Sequence, residues 1–227
     1  KYTDKLFETE KGMLNQAIYG LEKAKGKFIF LAESDHIYPK RFIESLYKEL
    51  IQTEYDGIWG TLKYDNPTNF WERGHDQFLK IHFHKKGLKQ LIACPQLWHK
   101  KKLEMLLRAT KNANGFSFDT QRAEESKKLK LKVGLGHTIA FEKQSIDFNK
   151  FLNRHSNYGN GDYEFYKNNR SQWNFKRKLK SISHIFFRYG IVYPIKSFYL
   201  ANPFLAIPYF WLVMITRYLA WFRNYVF

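Results

Sequence analysis

Three side chains that can bind a cation follow an apolar run early in the chain. Residues 28–32 are all apolar, as is typical of a strand covered on both faces, and Glu33, Asp35 and His36 come next. Ligands of open α/β sheets bind at the carboxyl ends of strands. Two carboxylates and an imidazole there suit a divalent cation such as magnesium or manganese, which would neutralise a diphosphate. Two alternatives stay open: Asp35 caps a helix that begins near Pro39, or the cluster is a solvated turn.

The elements that must position this cluster follow from patterns in the first three quarters of the chain. These patterns predict helices over 14–21, 42–50, 103–107 and 119–129. Short apolar runs predict strands over 28–32, 58–62, 91–94 and 132–134. Residues 63–90 are expected to form a long loop with some strand. Because helices and strands alternate at the start of the chain, the pattern indicates a parallel α/β sheet.

Composition excludes several classes of protein. With 227 residues, of which 44% are hydrophobic and 19% aromatic, the chain is neither disordered nor collagen-like. The single cysteine, Cys94, excludes a disulfide scaffold and a multi-cysteine zinc or iron–sulfur site. A formal net charge of +17 favours polyanionic partners, namely nucleic acid, anionic lipid or phosphate-bearing substrates. Since the chain starts at Lys1 and Met13 falls inside a helical pattern, it is expected to be cut from something longer.

The residues around the acidic cluster resemble the middle of family 2 glycosyltransferases, enzymes with the GT-A fold. The resemblance rests on three segments, GMLNQAI (12–18), AKGKFIFL (24–31) and ESDHIYP (33–39). In that family, an Asp-x-Asp-like turn binds a divalent metal and the diphosphate of a nucleotide-sugar donor. The resemblance implies that Asp35 is the main carboxylate, with Glu33 in place of the usual first Asp and His36 in place of a later one. All three are therefore candidate ligands of magnesium or manganese.

A second acidic position follows Asn114-Gly115-Phe116, where Asp119 opens a polar helix. The family has an acidic pair at this point, and this sequence has Phe118 followed by Asp119. The resemblance implies that Asp119 is the general base toward the acceptor hydroxyl, since a sugar hydroxyl is a poor nucleophile at neutral pH. The alternative is that Asp119 caps its helix, and one residue can do both.

A glycine-rich segment further along resembles the Arg-x-x-x-Tyr-Gly-x-Gly stretch of the same transferases. It starts at Arg154 and includes Gly159 and Gly161. The resemblance implies a lid that closes over the donor, with Arg154 near the diphosphate. By itself Gly-x-Gly is a weak signal, because loops of all kinds use glycine.

Other polar residues are weaker candidates. His82 and His84 would share one strand face and would suit zinc, but no further ligand is evident in the sequence. Glu142 falls near a position where family members often have a metal-binding histidine, yet an ordinary surface position is favoured for it. Residues 71–76, in the expected loop, would shape an acceptor pocket or simply pack as aromatic residues do.

A basic and then aromatic segment follows a boundary placed near Trp173, which divides the chain into 1–172 and 173–227. Around residues 175–188 the apolar side chains share one helical face and the lysines and arginines lie elsewhere, the pattern of an interfacial helix on anionic lipid. Residues 204–215 carry no charge but are shorter than the ~20 residues of a spanning helix. A re-entrant or interfacial hairpin is favoured over a span, with a core-packing helical hairpin as the soluble alternative.

The expected fold is α/β: a partial GT-A (Rossmann-like) mixed sheet with flanking helices, lacking the family's N-terminal nucleotide-binding strands, followed by membrane-associated helices. The expected function is metal-dependent, inverting transfer of a sugar from a nucleotide-sugar donor to a lipid-linked or polysaccharide acceptor. It is expected at the cytoplasmic face of the cell membrane, through peripheral, monotopic or single-span association. The alternatives are a membrane-docked scaffold on a degenerate transferase fold and a basic nucleic-acid-binding protein. Nucleic acid explains neither the acidic turn nor the apolar tail.

Overall fold

The computed structural model describes residues 7–89, 94–110, 113 and 115–226. The strands of this part of the chain are β1 (Phe28–Leu31), β2 (His36–Ile37), β3 (Gly57–Tyr64), β4 (Gly87–Leu88), β5 (Gln96–His99) and β6 (Val133–Glu142). They form one sheet in the order β1-β5-β3-β6-β2, and β4 also pairs with β6. The central β3 and β6 run parallel, whereas the other described pairs are antiparallel. The expected mixed sheet is confirmed, and the parallel arrangement holds for its central pair.

Helices flank this sheet and then continue to the end of the described residues. They are α1 (Met13–Lys23), α2 (Phe42–Thr53), α3 (Phe70–His82), α4 (Lys100–Ala109), α5 (Phe118–Lys128), α6 (Phe148–Asn169), α7 (Phe175–Ile185), α8 (Tyr193–Leu200) and α9 (Pro203–Val226). A short 3-10 turn, Arg170–Gln172, follows α6, and a π-helical segment, Phe186–Val192, links α7 to α8. The predictions of α1, α2, α4 and α5 are confirmed.

The core lies at the centre of the sheet. Trp59 on β3 and Trp98 on β5 are buried, and Leu46 and Leu50 of α2 pack in the same core cluster. The i, i+4 spacing of Leu46 and Leu50 places both on the buried face of α2, which explains why the apolar pattern predicted this helix. The edge strand β1, which precedes the acidic cluster in the sequence, pairs with β5 and so adjoins this core.

Residues 70–82 form a helix and not the expected loop. Asn69 caps it, because its Oδ1 accepts hydrogen bonds from the N–H groups of Trp71 and Glu72 at 2.9 and 3.0 Å. Asn followed three residues later by Glu is a signal for a helix start. The alternation of residues 81–84 obscured that signal, and the prediction of a loop with some strand was wrong.

The structure also corrects two further predictions, one about His82 and His84 and one about the length of β6. His82 ends α3 and does not share a strand face with His84, and its Nδ1 lies 2.8 Å from the Tyr193 hydroxyl. β6 extends from Val133 to Glu142, well beyond the short strand predicted at 132–134, because it pairs with β3 over most of its length. β5 was not predicted. A strand was predicted just before it, at 91–94, and residues 91–93 of that range lie outside the described residues.

The helix α9 runs without a break through the segment expected to be a re-entrant or interfacial hairpin. Within the described residues it is the one helix long and apolar enough to cross a membrane, although 44% of its most apolar stretch is buried against the protein. It packs on α3, α6 and α8. Arg217 and Asp162 are both buried and form an ion pair of 2.6 Å between α9 and α6.

Glycine allows α9 to approach its neighbours closely. A Cβ atom at Gly159 of α6 would lie 2.9 Å from the Ala220 Cβ and closer still to the backbone carbonyl oxygen of Arg217. At Gly74 of α3, a Cβ atom would overlap the Tyr209 ring. The tail helix is therefore seated against two helices of the preceding part by backbone contact that a larger residue would prevent.

Gly159→Ala should destabilise the protein by about 1–3 kcal/mol, because the added methyl group has to push α9 away. The matched control is Gly20→Ala in α1, where nothing lies within 4 Å of the added Cβ. That variant should gain about 0.5–1 kcal/mol from helix propensity. Urea unfolding of both variants measures the difference, and equal effects of the two substitutions would contradict the packing role of Gly159.

Candidate active site

The acidic cluster forms a compact group of donor atoms between β1 and β2. One side-chain ligand atom from each of Glu33, Asp35 and His36 lies within 4.8 Å of the other two. His36 Nε2 is 3.6 Å from Glu33 Oε2 and 3.8 Å from Asp35 Oδ1. The structure thus brings together all three residues that the sequence predicted as ligands.

Local hydrogen bonds hold this turn in place. The Glu33 N–H donates to the Tyr38 hydroxyl at 3.0 Å, and that hydroxyl lies 3.3 Å from His36 Nδ1. Behind the cluster, the Lys143 N–H donates to the Asp35 carbonyl at 2.8 Å. The His36 side chain is only 3% exposed, so its Nε2 is held towards the two carboxylates.

The alternative in which Asp35 caps the following helix is wrong. That helix, α2, begins at Phe42, its N-cap residue is Arg41, and no side chain caps it. The side chain of Asp35 is therefore not used as a helix cap. Its backbone carbonyl accepts from Lys143, which leaves the carboxylate itself available for a ligand.

The electrostatics of the cluster favour a cation. Burial raises the pKa of the Glu33 carboxyl, His36 opposes that rise, and the negative charges of Asp119 and Asp35 add to it. Burial also raises the pKa of the Cys94 thiol, as do the charges of Glu33 and Asp119. Cys94 is therefore a neutral thiol beside Glu33. The charge of Asp119 contributes to both pKa shifts, so Asp119 lies close enough to the acidic cluster to act on it electrostatically.

Asp119 lies in the first turn of α5, and Ser117 occupies the N-cap position. The alternative in which Asp119 caps this helix is therefore wrong. Its Oδ1 accepts a hydrogen bond of 2.5 Å from Nη2 of Arg122, which is 1% exposed and stacks 4.2 Å from the Phe118 ring. The Asp119 side chain is 53% exposed. A buried arginine thus orients a carboxylate that remains open to a substrate.

A second buried cluster lies at the end of β6. Glu142 is 5% exposed, which shows that the predicted surface position was wrong. Its Oε2 lies 2.9 Å from His75 Nε2, and its Oε1 accepts a hydrogen bond of 2.7 Å from Arg154 Nη2. Burial alone would raise the pKa of the Glu142 carboxyl, but His75 and Arg154 hold it well below the usual range. Arg154 is thus placed by protein partners at the sheet end next to β2.

The predicted glycine lid has a different conformation. Gly159 and Gly161 lie inside α6, so the expectation of a loop was wrong. A Cβ atom at Gly161 would lie 2.6 Å from the backbone of Phe116, just as Gly159 faces α9. In this structure both glycines allow close packing of protein segments.

A cavity of about 780 Å³ opens on the other side of Asp119. Its walls come from α3, α5, α6, α7, α8 and α9, with Lys89 and the π-helical segment. A volume of this size accommodates a drug-sized ligand. The site as a whole therefore has an acidic side at residues 33–36 and an open side, with Asp119 between them.

Several contacts of the site were not predicted. Arg122 follows Asp119 by three residues, and this helical spacing was a usable signal for an ion pair. The pairing of His75 with Glu142 was not predicted, because the two residues are 67 positions apart in the sequence and share no local signal. Cys94 gave none either, because a lone cysteine is usually a small apolar residue.

Comparison with known proteins gives one family. Residues 5–121, just over half of the chain, match the family model described as Glycosyl transferase family 2. The matched region includes the acidic cluster and ends just after Asp119. A search of curated proteins finds no match for this chain.

Glu142→Gln should destabilise the protein by about 3–5 kcal/mol at neutral pH, because it leaves Arg154 buried without its anion. A carboxyl whose pKa is lowered by folding stabilises the fold above its unfolded pKa of about 4.3 and loses that contribution as the pH falls below it. The difference in free energy of unfolding between wild type and variant should therefore shrink as the pH falls below about 4. The control Glu22→Gln removes an exposed carboxylate of α1 and should show neither effect. A difference that is independent of pH would contradict the ion-pair account.

Proposed function

The chain belongs to glycosyl transferase family 2, and we propose that it transfers a sugar from a nucleotide-sugar donor to an acceptor hydroxyl with inversion at the anomeric carbon. Members of the family generally use such donors with divalent metals. The observation that carries the proposal is the position of Asp119. An oriented, half-exposed carboxylate lies beside a three-residue ligand cluster on one side and a large cavity on the other.

Glu33, Asp35 and His36 would hold the divalent metal. Their spacing fits one cation, and the set of two carboxylates and one imidazole suits manganese or magnesium. The carboxyl of Glu33 supports this fit, since its pKa is raised by burial and by neighbouring anions that a cation would relieve. When bound, the metal would supply positive charge to the donor diphosphate.

Asp119 would act as the general base. Its carboxylate removes the proton of the acceptor hydroxyl, and the oxygen forms a bond to the anomeric carbon from the side opposite the diphosphate. The bond between that carbon and the diphosphate oxygen breaks, and its electron pair leaves with the nucleoside diphosphate. Arg122 fixes the direction of the carboxylate through their hydrogen bond.

Arg154 would support the site from behind. The Arg154 guanidinium already binds Glu142, His75 and Gln144. A contact with the diphosphate would therefore come in addition to these three contacts. Glu142 pairs in register with His36 across β6 and β2. We therefore propose that Arg154, through Glu142, positions the turn formed by residues 33–36, and that direct contact with the donor is an additional role. Gly159 and Gly161 would act only through the packing of α6.

Residues 173–227 would attach the protein to the cytoplasmic face of a membrane. Seventeen of the twenty-nine exposed large hydrophobic side chains of the described residues lie in this segment. Phe204 is 91% exposed and Tyr199 is 84% exposed, and basic side chains of α7 lie on the same tail. Because α9 is partly buried against α3 and α6, we propose that the tail lies on the membrane surface and does not span the bilayer.

Two substitutions separate the proposed metal site from the proposed base. Asp35→Asn should remove a ligand and abolish measurable Mn²⁺-dependent binding of nucleoside diphosphates, tested by calorimetry with uridine, guanosine, cytidine and thymidine diphosphates. Asp119→Asn should leave that binding within a factor of about two but lower sugar transfer from the matching donor about 100-fold or more. Transfer is measured as release of nucleoside diphosphate in the presence of cell membranes as the source of acceptor.

The control for both variants is Asp65→Asn, whose carboxylate has no hydrogen bond or ion pair within the described residues. It should behave as wild type. Normal Mn²⁺-dependent binding by folded Asp35→Asn would refute the metal assignment. Loss of nucleotide binding in Asp119→Asn would place that residue on the donor side. Absence of transfer by the wild type, with binding intact, would favour the scaffold alternative.

Binding of the tail to anionic vesicles should depend on exposed apolar side chains and only partly on salt. Truncation is a poor test, because α9 packs on α3 and α6. The double variant Phe198→Ser and Phe204→Ser removes side chains that are 65% and 91% exposed and should weaken flotation with vesicles. High salt should weaken wild-type flotation without abolishing it, since each basic side chain contributes about 1 kcal/mol that salt screens.

The matched control for this experiment is Ile43→Ser with Ile51→Ser. Both side chains lie on α2 and are 49% and 47% exposed, so apolar surface is lost away from the tail. This variant should float as wild type does. Equal loss in both double variants would remove the tail from the mechanism, and complete release in salt would mean that apolar insertion does not occur.

A further inference from the structure

The cavity beside Asp119 has an unusual charge. Seven lysine and arginine side chains line it, against three carboxylates. Two of those carboxylates are already paired, Glu124 with Arg177 at 3.0 Å and Asp162 with Arg217 at 2.6 Å. The third is Asp119, which is bonded to Arg122. The wall therefore carries more positive charge than its own acids neutralise.

Three of the basic residues gather at one end of the cavity. Lys89 donates to the His82 carbonyl at 2.7 Å, and the His82 ring lies 2.8 Å from the Tyr193 hydroxyl. Arg188 lies 5.6 Å from the Tyr193 ring, and Lys196 follows Tyr193 by one helical turn in α8. Throughout the described ranges, Lys89, Arg188 and Lys196 form no ion pair with a carboxylate.

This arrangement is costly without an anion. Burial, together with the nearby charges of Arg188 and Lys196, lowers the pKa of the Lys89 ammonium to about 8. Like charges are gathered in a partly buried place only when something compensates for their repulsion and desolvation. Phosphate esters are the common biological anions that bind several Lys and Arg side chains at once.

Apolar side chains extend from this charged end to the outside. Phe187 and Val192 both line the cavity and are 54% and 41% exposed. Ile195 and Phe198, on the adjoining α8, are 56% and 65% exposed. A ligand with a charged head in the cavity would therefore have an apolar surface along which a hydrocarbon chain can lie.

We propose that Lys89, Arg188 and Lys196 bind the phosphate or diphosphate group of a lipid-linked acceptor, whose hydrocarbon chain leaves the cavity over Phe187 and Val192. The proposal rests on the proposed transferase function, and it narrows the acceptor from any glycan to a phosphate-bearing lipid. Asp119 lines the same cavity, so an acceptor held by its phosphate would present a hydroxyl towards the general base. The phosphate is bound and not transferred.

The test is direct binding of a phosphate-bearing lipid to the full chain, measured by tryptophan fluorescence below the micellar concentration of the lipid. The probes are dioctanoyl phosphatidic acid, glycerol 3-phosphate and dioctanoyl phosphatidylcholine. Phosphatidic acid should bind at least about tenfold more tightly than either of the other two. Equal binding of glycerol 3-phosphate would assign the cavity to soluble phosphates, and equal binding of phosphatidylcholine would show that charge is not read. Displacement of the lipid by single-stranded RNA at equal concentration would assign it to nucleic acid.

Matched charge variants locate the site. The double variant Lys89→Gln and Lys196→Gln should weaken binding of phosphatidic acid by about tenfold or more for each lost charged hydrogen bond. The control, Lys25→Gln with Lys101→Gln, removes two exposed lysines that lie outside the cavity and should bind as wild type does. Should the first double variant fold poorly, Lys196→Gln alone, on the surface of α8, should still lose about tenfold. Equal loss in the control would overturn the proposal.

One further variant separates this proposal from the proposed function. Asp35→Asn should bind phosphatidic acid as wild type does, because its carboxylate does not line the cavity. If transfer activity is absent while lipid binding follows the lysine variants, only the proposed function fails. If transfer occurs but the lysine variants bind phosphatidic acid normally, only the acceptor site fails.

Discussion

Burial of the Glu142 carboxylate between His75 and Arg154 is the interaction that joins the separate parts of this site. Glu142 ends β6, His75 lies on α3 and Arg154 lies on α6, so one carboxylate connects the sheet to two helices. The same residue pairs in register with His36, which carries the imidazole of the acidic cluster. Because breaking such a pair leaves a charge buried without a partner, the three elements are held in a single arrangement. The turn formed by residues 33–36, which carries the candidate metal ligands, is thus supported by the sheet.

The position of α9 depends on α3 and α6, the two helices that Glu142 connects to the sheet. Tyr209 packs against Gly74 of α3 and lies 3.3 Å from His155 of α6 through its hydroxyl, so α3 and α6 must be adjacent before α9 can fit. The large cavity then forms between this seated tail and α5, with Asp119 in its wall. The part after Trp173 is therefore structurally continuous with the site, whatever its contact with a membrane.

Sequence patterns predicted those elements whose buried face is apolar. Leu46 and Leu50 marked α2, and the acidic cluster was visible because its three ligands are adjacent in the sequence. The helix α3 was missed because polar residues, including Glu72, His75 and Gln77, occupy its buried face, so apolar periodicity could not mark it. Contacts such as that between Glu142 and His75 join residues 67 positions apart and exist only after the fold has formed. The glycines of α6 suggest a loop by composition, because composition alone does not distinguish a flexible glycine from one needed for close helix packing.

The ion pair between Arg217 and Asp162 also opposes a transmembrane position of α9. By length and hydropathy alone α9 could cross a membrane. The anion that pairs with Arg217 of this helix, Asp162, lies on α6. Placing Arg217 near the middle of a bilayer costs about 2.5–3.5 kcal/mol on insertion scales, and it would leave Asp162 buried without its cation. The helix reaches its low-energy state only on a folded α3 and α6. The pair therefore favours the state in which α9 is packed on α6, where each charge has its partner, over one in which the same helix crosses a bilayer.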